Sequence, residues 1–189
     1  MLHFITHPEV VIDPAVPVPR WPLTPAGIAR MRALAALPEM AGLRAVWAST
    51  ECKAIEGAGI LAARFGLPVR VLESLGENDR SSTGYLPEAE FQAMADAFFA
   101  RPEESVRGWE RAVDAQARIV AAVATVRAGS PDGPLAIVAH GAVGALLRAH
   151  LAAAPIARSW DQPGAGCRFV VRPGQPPGPW LPLPAAPVG

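Results

Sequence analysis

The chain has 189 residues, of which 51% are hydrophobic and 18% charged, so it can bury one substantial core and is neither disordered nor fibrous in composition. Seventeen basic and seventeen acidic side chains balance to a formal net charge of zero, and no run of Lys or Arg is present to track a nucleic-acid backbone or an anionic membrane. Neither nucleic acid nor membrane is therefore expected as a partner.

A short apolar run at residues 2–5 is followed by Asp13-Pro14-Ala15-Val16-Pro17-Val18-Pro19, which cannot be a central strand because proline lacks the ladder donor, so the first strand should end near His7. Thr24-Pro25 has the form of an N-cap followed by proline at the first helical position. Ile28, Met31, Leu34 and Ala35 then recur at helical spacing, predicting a helix to about residue 37. Residues 44–48 suggest a strand and 50–65 a helix, which Gly66-Leu67-Pro68 ends before a third strand at 69–72.

The segment Gly76-Glu77-Asn78-Asp79-Arg80-Ser81-Ser82-Thr83-Gly84 is too polar to pack and has the character of a lid. Pro87 opens a helix with Phe91, Met94 and Phe98 on one face. A second helix over about 109–127 would direct Trp109, Val113, Val120 and Val123 inward, and the two would form a helical insertion spanning about residues 73–130. After the turn Pro131-Asp132-Gly133-Pro134, the run Leu135-Ala136-Ile137-Val138-Ala139 is continuously apolar, as a strand covered on both faces requires, and His140 follows it. Val143, Leu146, Leu147 and Leu151 give the next helix its inner face, with His150 at its border, and 168–171 is a final strand. The Pro- and Gly-rich tail, 173–189, is expected to drape loosely on the surface.

The reading is one domain over residues 1–189, a three-layer α/β/α sandwich with a mostly parallel sheet. The two cysteines, Cys52 and Cys167, suggest no metal knuckle or disulfide framework. With no basic leader and no bilayer-length apolar stretch, a cytoplasmic protein is expected.

Ligands of open α/β sheets bind beyond the carboxyl ends of the strands. Three segments end there: Thr6-His7-Pro8-Glu9, Ala48-Ser49-Thr50 with Lys53 one turn into its helix, and His140-Gly141 at a helix N-terminus. That helix end carries about half a positive charge and with Lys53 favours a bound anion, while two imidazoles supply a nucleophile and a proton donor or clamp. Phosphate is the natural anion. A metal pair at His3 and His7 is rejected, because four residues of strand span roughly 13 Å.

Phe4-Ile5-Thr6-His7-Pro8-Glu9, Ala48-Ser49-Thr50-Glu51-Cys52-Lys53-Ala54 and Ile137-Val138-Ala139-His140-Gly141 resemble, in order and spacing, the three signatures of the histidine phosphatase superfamily, the phosphoglycerate-mutase-like proteins. The resemblance implies that His7 is the phosphorylated nucleophile and that His140, Gly141 and Lys53 contact the phosphoryl group. It also implies a carboxylate acid after the third strand, at Glu77 first and Glu110 second. Where the family carries Arg-His-Gly, this chain has Thr6 and Pro8 around His7, and Lys53 replaces the second arginine. Thr6 offers one neutral hydroxyl and Lys53 a point charge where a guanidinium would grip phosphate with two parallel bonds. Arg80 is the first candidate replacement cation, with Arg20 and Arg118 behind it. The expected function is a cofactor-independent phosphatase of a small phosphomonoester, the alternative being a weakly active or inactive member that binds a phosphorylated metabolite or partner.

Overall fold

A computed structural model describes residues 1–185. Its sheet contains β1 (Leu2–Thr6), β2 (Ala45–Ala48), β3 (Val69–Val71), β4 (Leu135–Ala139), β5 (Cys167–Val171) and β6 (Leu181–Pro182), in spatial order β3-β2-β4-β1-β5-β6. The first four strands run parallel, while β5 is antiparallel to β1 and β6 to β5. Every residue of β1 and β4 is buried, which accounts for the unbroken apolar run of β4, whereas β1 also buries His3 and Thr6.

Alternation along the strands sorts the core into two layers. Ile5, Val46, Ala48, Ala136 and Val138 face α1 (Pro25–Ala35) and α2 (Cys52–Phe65). Leu2, Phe4, Leu135, Ile137, Ala139 and Phe169 face α4 (Ala112–Ala128) and α5 (Gly141–Leu151). The remaining helix, α3 (Glu88–Ala100), stacks outside α4 and α5 through Phe98, Trp109 and Leu146. Local signals act as expected at several ends: the Thr24 hydroxyl accepts from Gly27 N at 3.0 Å, and Gly66 closes α2 in the left-handed conformation at φ +65°.

Four expectations need correction. The helical insertion is smaller than expected, since α4 is one of the two helices covering the sheet and only α3 with its flanking turns lies outside that layer. α4 starts at Ala112 because Arg107 and Gly108 both adopt positive φ, so Trp109 is buried from an extended segment. Its inner face is Ala112, Ala115, Ile119, Ala122, Val123 and Val126, with Val113 and Val120 only half-buried. The tail is also more ordered than its composition suggested. β6 pairs with β5, Leu183 enters the core, and Trp180 packs edge-on against Phe169 at 4.9 Å while its indole N–H donates to Trp160 O at 2.7 Å. The Arg148 guanidinium lies 5.3 to 5.7 Å from the rings of Trp160, Phe169 and Trp180 and donates to Gly178 O, clasping the tail to α5. Residues 186–189 of the expected tail lie outside the described residues. His150 is exposed rather than at the border of the core.

Candidate active site

Because β4 lies between β1 and β2, the three segments singled out in the sequence leave adjacent strands at the same edge. His7 extends the ladder by donating its backbone N–H to Ala139 O at 3.1 Å, and Ser49 donates to Val138 O at 3.3 Å. His140 is the N-cap residue of α5, and its ring lies edge-to-face with that of His7, centroids 5.3 Å apart.

Hydrogen bonding orients both rings. His7 Nδ1 is 2.9 Å from Pro8 O. A carbonyl only accepts, so Nδ1 carries the proton and Nε2 of the neutral ring holds the lone pair. His140 is 1% exposed, and its Nε2 meets Ser49 Oγ at 2.7 Å and Glu51 Oε1 at 3.2 Å. Beside that carboxylate Nε2 is the protonated nitrogen, and Nδ1 is buried without a protein partner.

Glu51, which the sequence reading did not single out, is central to this cluster. Its Oε2 accepts from Lys53 Nζ at 2.5 Å, and its Oε1 accepts from Glu77 N at 3.2 Å. Residues two apart on a helix do not face one another, but Glu51 precedes the first turn of α2 in extended conformation (φ −79°, ψ 140°) and can turn back onto Lys53. An acidic residue at a helix start looks like an ordinary dipole partner, so the pattern carried no signal of this role. Lys53 is 3% exposed and gives another N–H to Val18 O at 2.9 Å. It therefore stands in the site as half of an ion pair.

Glu77 belongs to the same site. Its carboxylate accepts from Ala142 N at 3.3 Å and Val143 N at 3.1 Å, at the N-terminus of α5. The loop that carries it is fastened, contrary to the expectation of a lid. Arg118 donates to the carbonyls of Ser74, Gly76 and Glu77 and to both oxygens of Glu110, whose Oε2 also accepts from Asp79 N. Arg118 is thus a strut beneath the loop, and Glu110, the second candidate acid, is its counter-ion. Arg80 rests over Phe91 and Trp109, 5.0 and 5.6 Å from the ring centres, and lies close enough to disfavour protonation of both histidines. Arg20 is exposed.

Thr6 is fully buried, and its hydroxyl is already committed, donating to Gln162 Oε1 at 2.5 Å and accepting from Cys167 N at 2.9 Å. The hydroxyl therefore has no free hydrogen left to offer a phosphate. Gln162, also absent from the sequence reading, lies against Gly141, where a Cβ would come within 2.6 Å of its Nε2. A side chain at this position would have to push the Gln162 amide aside.

Burial and, next, Lys53 lower the His7 pKa to about 4, with the Pro8 carbonyl and Glu51 opposing. Burial holds His140 well below the usual imidazole value, with Glu51 again opposing. Both rings are neutral near pH 7. Burial opposes charge on Glu51, yet His140 and Lys53 hold its carboxyl down at about 2. Burial pushes the Glu77 carboxyl above the ordinary value, against Arg80 and the N–H groups of Asn78 and Val143. The site combines a neutral imidazole with a free lone pair and a carboxyl group biased toward its protonated form.

Comparison with known proteins gives the family. The sequence profile of the histidine phosphatase superfamily (branch 1) matches residues 18–175. The chain belongs to this superfamily. The match begins after Thr6-His7-Pro8, where the first signature departs most, and takes in the segments of Lys53, Glu77 and His140. No curated protein matches the chain.

Solved structures give the same fold. A mycobacterial glucosyl-3-phosphoglycerate phosphatase is 25% identical with a TM-score of 0.73, the alignment covering 89% of this chain and 88% of that one. YhfR of Bacillus stearothermophilus is 23% identical (TM-score 0.74, covering 100% and 98%), and an alpha-ribazole phosphatase from Shigella flexneri is 18% identical (TM-score 0.66, covering 100% and 98%). The superfamily and the mycobacterial neighbour support phosphatase activity in general terms. Among the described residues, no helix is long and apolar enough to cross a membrane.

Proposed function

We propose that the protein hydrolyses a small phosphomonoester through a phosphohistidine at His7, with Glu77 as the acid and no cofactor. The observation that carries this reading is the bond from His7 Nδ1 to Pro8 O, which leaves Nε2 bare beside the second histidine and the N-terminus of α5. In the first step His7 Nε2 forms a bond to phosphorus as the ester P–O bond breaks, and Glu77 gives its proton to the leaving oxygen. In the second step water attacks phosphorus, the N–P bond breaks, and the water proton returns to Glu77. Gly141 at the head of α5, His140, Arg80 and the remaining Lys53 donor would hold the phosphoryl oxygens. The mycobacterial neighbour has also been solved in complex with inorganic phosphate.

One observation favours a second reading, a non-hydrolytic protein that binds a phosphorylated metabolite. Lys53 is neutralised by Glu51 and Thr6 is committed elsewhere, so the site has fewer free donors than phosphate capture calls for. Turnover separates the two. Wild-type protein should hydrolyse an aryl phosphate, His7→Ala should abolish that activity, and Glu77→Gln should slow an alkyl phosphate far more than the aryl one, whose leaving group needs little protonation. Phosphate binding at His7 without hydrolysis of any ester would establish the second reading instead.

A further inference from the structure

Within the phosphatase reading, Glu51 bridges two groups of the site. Glu51 Oε2 is paired with Lys53 and Oε1 contacts His140 Nε2, so this one carboxylate both cancels the buried cation and sets the protonated nitrogen of the second histidine. Arg80 is then the cation of the site that has no carboxylate within 4.0 Å among the described residues, and it is held over Phe91 and Trp109. Glu77 occupies two of the N–H donors at the head of α5. A phosphomonoester dianion already exceeds the single positive charge left when Glu51 offsets Lys53 and Glu77 is protonated. A second anionic group on the substrate would have no cation to meet and would face two carboxyl side chains.

We propose that Glu51 is the specificity-determining residue of the site, restricting it to phosphomonoesters of neutral or cationic alcohols and discriminating against esters that carry a second anionic group. The mycobacterial neighbour acts on a glycerate ester, whose carboxylate belongs to the disfavoured class. Removing the Glu51 charge while keeping its shape would release Lys53 toward the ligand and reverse the preference.

Phosphoethanolamine and 3-phosphoglycerate serve as the cationic and anionic probes. In wild-type protein kcat/KM should favour phosphoethanolamine by about tenfold, the scale of one partly screened charge. Glu51→Gln should shift that ratio about tenfold toward 3-phosphoglycerate, mainly through KM, and tighten inorganic phosphate binding in calorimetry by a similar factor. The double variant Glu51→Gln/Lys53→Met should return the ratio toward the wild-type value. If Glu51 only supports the fold, both esters slow alike and the ratio stays fixed, which overturns the proposal. A wild-type preference for 3-phosphoglycerate overturns it without any variant. If no ester is hydrolysed the phosphatase reading fails separately, and inorganic phosphate binding decides the role of Glu51: tighter binding in Glu51→Gln supports it, and unchanged binding refutes it.

Discussion

Acid should destabilise this protein through a histidine remote from the site. His3 lies in β1 opposite Ala136 and Val170, is 1% exposed, and has no hydrogen-bond partner for either ring nitrogen. Burial, and then Arg168, lower its pKa to about 4, with Glu39 opposing and the N-terminus and Arg172 assisting. The unfolded chain therefore binds a proton between pH 6.5 and pH 4 that the folded chain refuses, so stability is full above pH 6.5 and falls as the pH drops through that window. The slope from one such group is about 1.4 kcal/mol per pH unit, giving about 2 kcal/mol at pH 5 and about 3 kcal/mol by pH 4. His3→Leu, close in volume, removes this contribution and the cost of two unpaired buried nitrogens. Urea unfolding followed by circular dichroism should show the variant at least as stable as wild type at pH 7, and ahead by about 2 kcal/mol more at pH 5. His7 and His140 remain in both proteins, so their acid sensitivity cancels in the comparison. A gap between the two proteins that is the same at pH 7 and pH 5 would refute the assignment of a depressed pKa to His3.

Other perturbations test the scaffold. Arg118→Met takes the counter-ion from Glu110 and a donor from three carbonyls and should cost about 3 kcal/mol in denaturant unfolding, with a larger loss of phosphatase activity than a distant variant of equal stability; unaltered unfolding would remove its role as a strut. Trp180→Ala opens the clasp on Arg148 and should cost about 3 kcal/mol, with hydrogen exchange rising first along β6; unchanged exchange there would show that the tail does not depend on the ring. Thr6→Val strands the Cys167 N–H and should cost about 1 to 3 kcal/mol, whereas stability unaffected by the change would mean that the hydroxyl bonds contribute nothing.

The parts of the fold legible in sequence were those fixed by local chemistry. Thr24-Pro25 marks the start of α1, Gly66 the end of α2, and the apolar run 135–139 the central strand, because caps and burial act within a few residues. His7 and His140 could be assigned to one sheet edge because strand direction alone determines which ends meet. What failed depended on side chains distant in sequence. Half of the inner face of α4 is alanine (Ala112, Ala115 and Ala122), which gives little periodic signal, while the bulkier but only half-buried Val113 and Val120 pointed to a different phase. Nothing near Thr6 foretells that Gln162, 156 residues later, takes up its hydroxyl. Glu51 was hidden for a different reason, since only the extended backbone before α2 lets it reach Lys53 and His140 together.

The central claim is that His7 Nε2 takes the phosphoryl group. Rapid alkaline quenching during turnover of an aryl phosphate, followed by tandem mass spectrometry, tests it most directly, because phosphohistidine survives base. The account predicts a phosphoryl adduct on His7, absent in His7→Ala, which should also be inactive. An adduct on another residue, or undiminished turnover in His7→Ala, would contradict it.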